Sequence, residues 1–163
     1  MNRCTKGFTY LGLLFLIAFV GIGLSAVGSL TSTLAQRNNE KQLLFVGGQI
    51  RSAIRSYYER APVGARTYPR SLNDLMEDER FSRTARHLRK IYPDPFTGVP
   101  DWELLTLANN SLVGVVSRSE KIPLKQNNFT VVNQTFKNSD CYCQWRFTYL
   151  PQLQNGDQNP NAR

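Results

Sequence analysis

Arginines, a single histidine and a close pair of cysteines are the residues whose types and spacing could do chemistry in this chain. Arg80, Arg83, Arg86, Arg89 and Lys90 crowd residues 80–90 around His87. Such a cluster can hold DNA phosphates, anionic lipid or another protein subunit through its charge. It can equally be a solvated face beside Asp74, Glu77, Asp78 and Glu79. His87 carries no catalytic signal by itself, because no nucleophile or acid can be picked out as its partner. Cys141 and Cys143, one residue apart, are a candidate disulfide in an oxidising compartment. The tight spacing leaves a reduced or intermolecular state open. With Cys4 they make three cysteines, fewer than the four ligands of a structural zinc site. There is no glycine-rich phosphate loop, metal-spaced histidine set or nucleophile elbow. The residues therefore point away from an enzyme and call for no metal or cofactor.

The elements that would position these groups begin with an apolar N-terminus. Residues 7–36 carry no charged side chain, behind a leader holding Arg3 and Lys6. Thirteen Leu, Ile, Phe and Val residues fall between Phe8 and Leu30. At the bilayer centre they supply roughly −4 to −8 kcal/mol as an upper bound. About 20 residues span the hydrocarbon core, so residues 8–34 are expected to form one transmembrane helix. A cleaved secretory signal is the rival reading. Its apolar region would be shorter and would end at a small-x-small site, and Ser25-Ala26-Val27-Gly28 matches that only loosely. Basic residues stand on both sides of the run, so the positive-inside rule does not fix orientation.

No proline occurs before Pro62, and Leu43, Val46, Ile50, Ala53 or Ile54, and Tyr57 recur at helical spacing. An amphipathic helix at 35–60 should continue the membrane helix, with Arg51, Arg55 and Glu59 off the apolar stripe. Gly47-Gly48 is a soft point in it. Ala61-Pro62-Val63-Gly64 breaks the helix. Ser71 should cap a short helix, and residues 83–90 a second one. Two prolines keep 92–98 irregular. Strands are expected at 102–106, 112–117 and 144–150, the last alternating Trp145, Phe147 and Tyr149 with Arg146 and Thr148. Residues 151–163, rich in Gln, Asn, Pro and Gly, read as a disordered tail. The chain has room for one domain. Its formal charge of +8, less Arg3 and Lys6 of the leader, leaves +6, a weak pointer to acidic or anionic partners.

The order Arg3/Lys6, Gly7, Phe8-Thr9 and an apolar helix from Tyr10 to about Leu34 resembles the signature of type IV pilins and type II secretion pseudopilins. The soluble part is similar to the G-type pseudopilin branch in Ile50, Tyr57-Tyr58, Tyr68-Pro69-x-Ser71-Leu72-x-x-Leu75, Asp94-Pro95-Phe96-Thr97-Gly98 and Trp102. The resemblance covers roughly residues 3–105. It implies an α+β, ladle-like fold: a long N-terminal helix on a small antiparallel sheet formed within residues 61–150. It implies that residues 1–7 are a leader, that a prepilin peptidase cuts between Gly7 and Phe8, and that Phe8 is N-methylated. The implied setting is a single pass of the bacterial inner membrane with the C-terminal domain in the periplasm. The implied partners are the peptidase, other pseudopilins or pilins, an inner-membrane assembly platform and membrane lipid.

Two departures refine that expectation. The family usually places a glutamate four residues after the processed phenylalanine, where this chain has Gly12. An intramembrane carboxylate is costly and needs a partner, which in the family is taken to be a neighbouring subunit's N-terminal amine. Gly12 cannot make that pair, which favours a minor or specialised subunit. The acidic calcium loop of the G-type branch also lacks a counterpart, with only Asp140 and Asp157 after Glu120, so no metal ligands carry over. The alternative function is a minor pilin binding DNA or an anionic surface through its basic face, with nucleic acid the disfavoured partner.

Overall fold

The computed structural model describes residues 6–62 and 64–151, with side chains at 9–21, 31–62 and 64–151. Most of the expected leader, the side chains of Gly7 and Phe8, and the expected tail from residue 152 lie outside the described residues. The chain divides into two compact units, residues 1–38 and 39–163. Helix α1 (Lys6–Arg60) contributes to both. It contains no proline, and it stops where Pro62 removes a donor and Gly64 turns to φ 98°.

In the first unit, every side chain from Thr9 to Gly21 is exposed. Among the described residues, no helix is long and apolar enough to cross a membrane. The expected span at 8–34 includes 22–30, whose side chains fall outside the description.

The second unit is α+β. Leu43, Val46, Ile50, Ala53, Ile54 and Tyr57 form one buried stripe on α1, as their spacing predicts. Each fully buried side chain of this kind contributes about 1.5–3 kcal/mol. The stripe packs on a three-stranded antiparallel sheet in the order β1 (Glu103–Thr106), β2 (Leu112–Val116), β3 (Phe147–Thr148). Leu104 faces Val115, and Val115 faces Phe147. Asn110, at φ 61°, tightens the β1–β2 hairpin. The core is aromatic between helix and sheet: Phe136 stacks on Trp145 with centroids 5.2 Å apart, and Phe147 meets Phe136 edge-on at 5.1 Å.

Two glycines admit β3 to this packing. A Cβ on Gly47 would lie 2.5 Å from three ring atoms of Phe147, and one on Gly114 would lie 2.6 Å from the Phe147 carbonyl. Gly47 is therefore a contact point of helix with sheet.

Several expectations need correction. Residues 83–90 are not a helix. Asp78 and Ala85 exchange backbone hydrogen bonds at 2.9 and 3.2 Å, and the His87 and Leu88 amides donate to the Leu75 carbonyl. A helix there would stack Arg86 against Arg89 and Lys90 at three- and four-residue spacing, where like charges repel. The third strand is shorter than 144–150, because Tyr142–Gln144 is a 3₁₀ turn. Its alternation holds nonetheless, with Trp145, Phe147 and Tyr149 buried. Arg51, off the apolar stripe, is nonetheless buried at its edge. The helix expected after Ser71 is a single 3₁₀ turn, Asn73–Leu75. There the Ser71 hydroxyl accepts from the Asp74 amide at 3.3 Å, and the Asp74 carboxylate accepts from the Arg70 and Ser71 amides at 2.8 and 3.3 Å. That reciprocity is the logic of a capping box.

Candidate functional site

The exposed apolar surface of the first unit is the larger candidate. Tyr10, Leu11, Leu13, Leu14, Phe15 and Leu16 all stand at least 46 % exposed in the isolated chain. Contiguous apolar surface of this kind marks contact with protein or lipid. A Cβ on Gly12 would meet nothing within 4 Å among the described residues.

The basic cluster is divided by the fold. Arg80 does not face solvent freely. Its Nε and Nη2 donate to Asp78 at 2.9 and 2.7 Å, and Nη2 also donates to the Tyr57 carbonyl at 2.8 Å. Its guanidinium carbon sits 3.5 Å from the Tyr57 ring centre. Arg83, Arg86, Arg89 and Lys90 remain exposed along the extended segment. The candidate patch is thus four cations rather than five.

His87 acquires partners that the sequence did not reveal. Its ring bridges Ser56 Oγ at 2.9 Å through Nδ1 and Asp78 Oδ2 at 3.1 Å through Nε2. Hydrogen bonds from Arg80 hold the Asp78 carboxyl down at about 2, against the opposing effect of burial. Burial pushes His87 below its ordinary value, against the pull of Asp78. A neutral imidazole beside a carboxylate must carry its proton on Nε2, so Nδ1 accepts from the Ser56 hydroxyl. The types are those of a hydrolytic triad, but the His87 side chain is fully buried. The open cavity of about 500 Å3 beside it is lined by Tyr57, Asp74, Glu77, Asp78 and Arg80, among others, and not by Ser56 or His87. The arrangement clamps the 74–90 segment to α1. Ser56 lies 31 residues from His87, and the chain reversals between Pro62 and Ala85 bring them together.

Cys141 and Cys143 are joined by a disulfide, with Cα atoms 5.1 Å apart. It closes a tight loop around the buried Tyr142, just before the buried Trp145. No group of three or more metal-ligating side chains converges among the described residues.

No known protein family, curated protein sequence or solved structure matches this chain.

Proposed function

We propose that the chain is a pilin-like structural subunit of a type II secretion pseudopilus or a related filament, in a minor or specialised position. The observation that carries this reading is the uncharged stretch at 7–36, which runs without a break into the helix that the sheet packs on. In this reading residues 8–34 span the inner membrane in the precursor and enter the filament core after processing. The exposed apolar residues from Tyr10 to Val20 then meet lipid first and neighbouring helices afterwards. The second unit lies in the periplasm, where the Cys141–Cys143 disulfide suits the oxidising compartment.

Mass spectrometry of the membrane-extracted protein tests the reading. A chain beginning at methylated Phe8, in a strain carrying the prepilin peptidase, is the expected result. Replacing Gly7 by a bulky residue leaves the precursor uncut. A mature N-terminus at Met1 or near Ala26 in that strain overturns the proposal. A second reading, a minor pilin that holds an anionic surface, draws on Arg83, Arg86, Arg89 and Lys90, all exposed on one segment. Charge alone supports it.

A further inference from the structure

Arg51 is a buried cation that the fold leaves without a counter-charge. It is 9 % exposed, and no carboxylate pairs with it among the described residues. Its Nη1 donates to Asn133 Oδ1 at 2.8 Å, and its guanidinium carbon lies 5.4 Å from the Phe147 ring centre and 5.9 Å from that of Phe136. These contacts hold the group in place. They use one nitrogen and leave the edge formed by Nε and Nη2 without a hydrogen bond, with Nε itself buried. That edge is the fork a carboxylate takes in two parallel hydrogen bonds. Glu59, the acid on the same helix nearest in sequence, is already engaged. It accepts from Arg55 Nε at 3.0 Å and from the Tyr149 hydroxyl at 2.9 Å.

Arg51 lines a cavity of about 230 Å3 together with Gly48, Ser52, Arg55, Val132 and Tyr149. Gly48 keeps one wall open, since nothing lies within 4 Å of where its Cβ would be. Ser52 and Tyr149 add polar groups. Val132 on the wall and Val131 beside it are 57 % and 86 % exposed. The space is smaller than the about 300–1,000 Å3 of sites for drug-sized ligands, and suits a side chain. Burial lowers the Arg51 pKa, which marks a desolvated charge that an anion relieves.

We propose that this cavity binds the carboxylate of an Asp or Glu side chain, presented between apolar residues by a protein partner. The carboxylate pairs with the Arg51 guanidinium, and the flanking apolar groups cover Val131 and Val132. The site lies wholly in the unit from Asn39 onward, so it stands whether or not the N-terminus is processed as proposed.

Titration of the 15N-labelled full-length protein in detergent micelles tests this, following the Arg51 Nε–H resonance, which is assigned by its loss in Arg51→Lys. The probes are acetyl-Val-Glu-Val-amide, its Gln counterpart and sodium propionate. The Glu peptide should shift the resonance saturably and bind about tenfold or more tighter than either of the others. Val132→Glu, which tethers a carboxylate at the cavity wall, should raise Tm and abolish binding of the Glu peptide, whereas Val132→Gln should do neither. The tethered variant reads the site even if Arg51→Lys fails to fold. Equal binding of the Glu and Gln peptides, or no saturable shift, overturns the carboxylate site. Propionate binding as tightly as the Glu peptide overturns the protein partner and assigns the cavity to a free acid. A Val132→Glu protein with unchanged Tm and intact peptide binding also sinks the proposal.

Discussion

Asp78 gathers four donors on one buried carboxylate: the Arg80 amide, Arg80 Nε and Nη2, and His87 Nε2. Holding its carboxyl at about 2 rather than 3.8 corresponds to roughly 2 kcal/mol of stability at neutral pH. That contribution is complete above the unfolded value and is lost as pH falls toward 2. His87 acts in the same direction in a different window. Its folded pKa lies below the unfolded 6.5, so the unfolded chain binds the proton first. Stability therefore declines as pH drops below about 6.5. The chain has one histidine, which leaves this window uncrowded. Denaturant titrations at pH 7, 6 and 5 should show falling stability in the native protein and a flatter profile in His87→Gln. Glutamine can keep both hydrogen bonds without taking up a proton. An unchanged slope in that variant removes His87 from the acid response. The charges around His87 were legible as a cluster, yet their roles were not. Nothing in the spacing of Arg80 separates a cation laid on Tyr57 from the four that remain exposed. The burial of Arg51 was not legible for a related reason: it sits one position from Ile50, at the edge of the apolar stripe, where a long side chain can turn either way.

At the scale of elements, two adjacent glycines in α1 behave oppositely, and only the packing distinguishes them. Gly47 faces the Phe147 ring, which is itself fully buried against Phe136 and Arg51. Gly48 faces open space. Alanine is better than glycine in a helix by about 1 kcal/mol, so Gly48→Ala should raise stability by about that much. Gly47→Ala receives the same propensity gain but must displace a packed ring, and overpacking costs about 1–3 kcal/mol. Its net effect should be destabilising. Parallel denaturation of the two variants checks the pair, and equal shifts would show that helix propensity alone governs this stretch. The helix was readable because its apolar spacing persists over several turns and no proline interrupts it. The hairpin strands were readable for the same kind of reason, since Leu112–Val116 is a short apolar run that the fold buries throughout. The segment at 83–90 was not. Its backbone hydrogen bonds go to Leu75 and to Asp78, and such long-range pairing leaves no periodic trace in sequence.

At the scale of the whole molecule, the decisive position is Gly12, on the uncharged part of α1. The proposed assembly depends on what that helix offers its neighbours. A glutamate there would be costly in lipid unless a partner met it, and a neighbouring subunit's N-terminal amine would supply that partner. In the proposed filament, glycine offers like subunits no such attraction. The unmodified chain, overproduced with the assembly machinery, should therefore give few homopolymers and enter filaments as a minority component. Gly12→Glu should increase self-assembly, counted as filament mass sheared from cells. Among the described residues no steric conflict opposes the change, because a Cβ at Gly12 meets nothing within 4 Å. The substitution also stiffens the helix by roughly 0.5–1 kcal/mol, so Gly12→Ala is the necessary control. If alanine restores assembly as well as glutamate does, rigidity limits the unmodified chain and the missing charge pair does not. If glutamate alone restores it, the carboxylate is the limiting group. Abundant filaments from the unmodified chain would refute the minor-subunit assignment, because the apolar surface from Tyr10 to Val20 would then suffice for polymerisation without any ion pair.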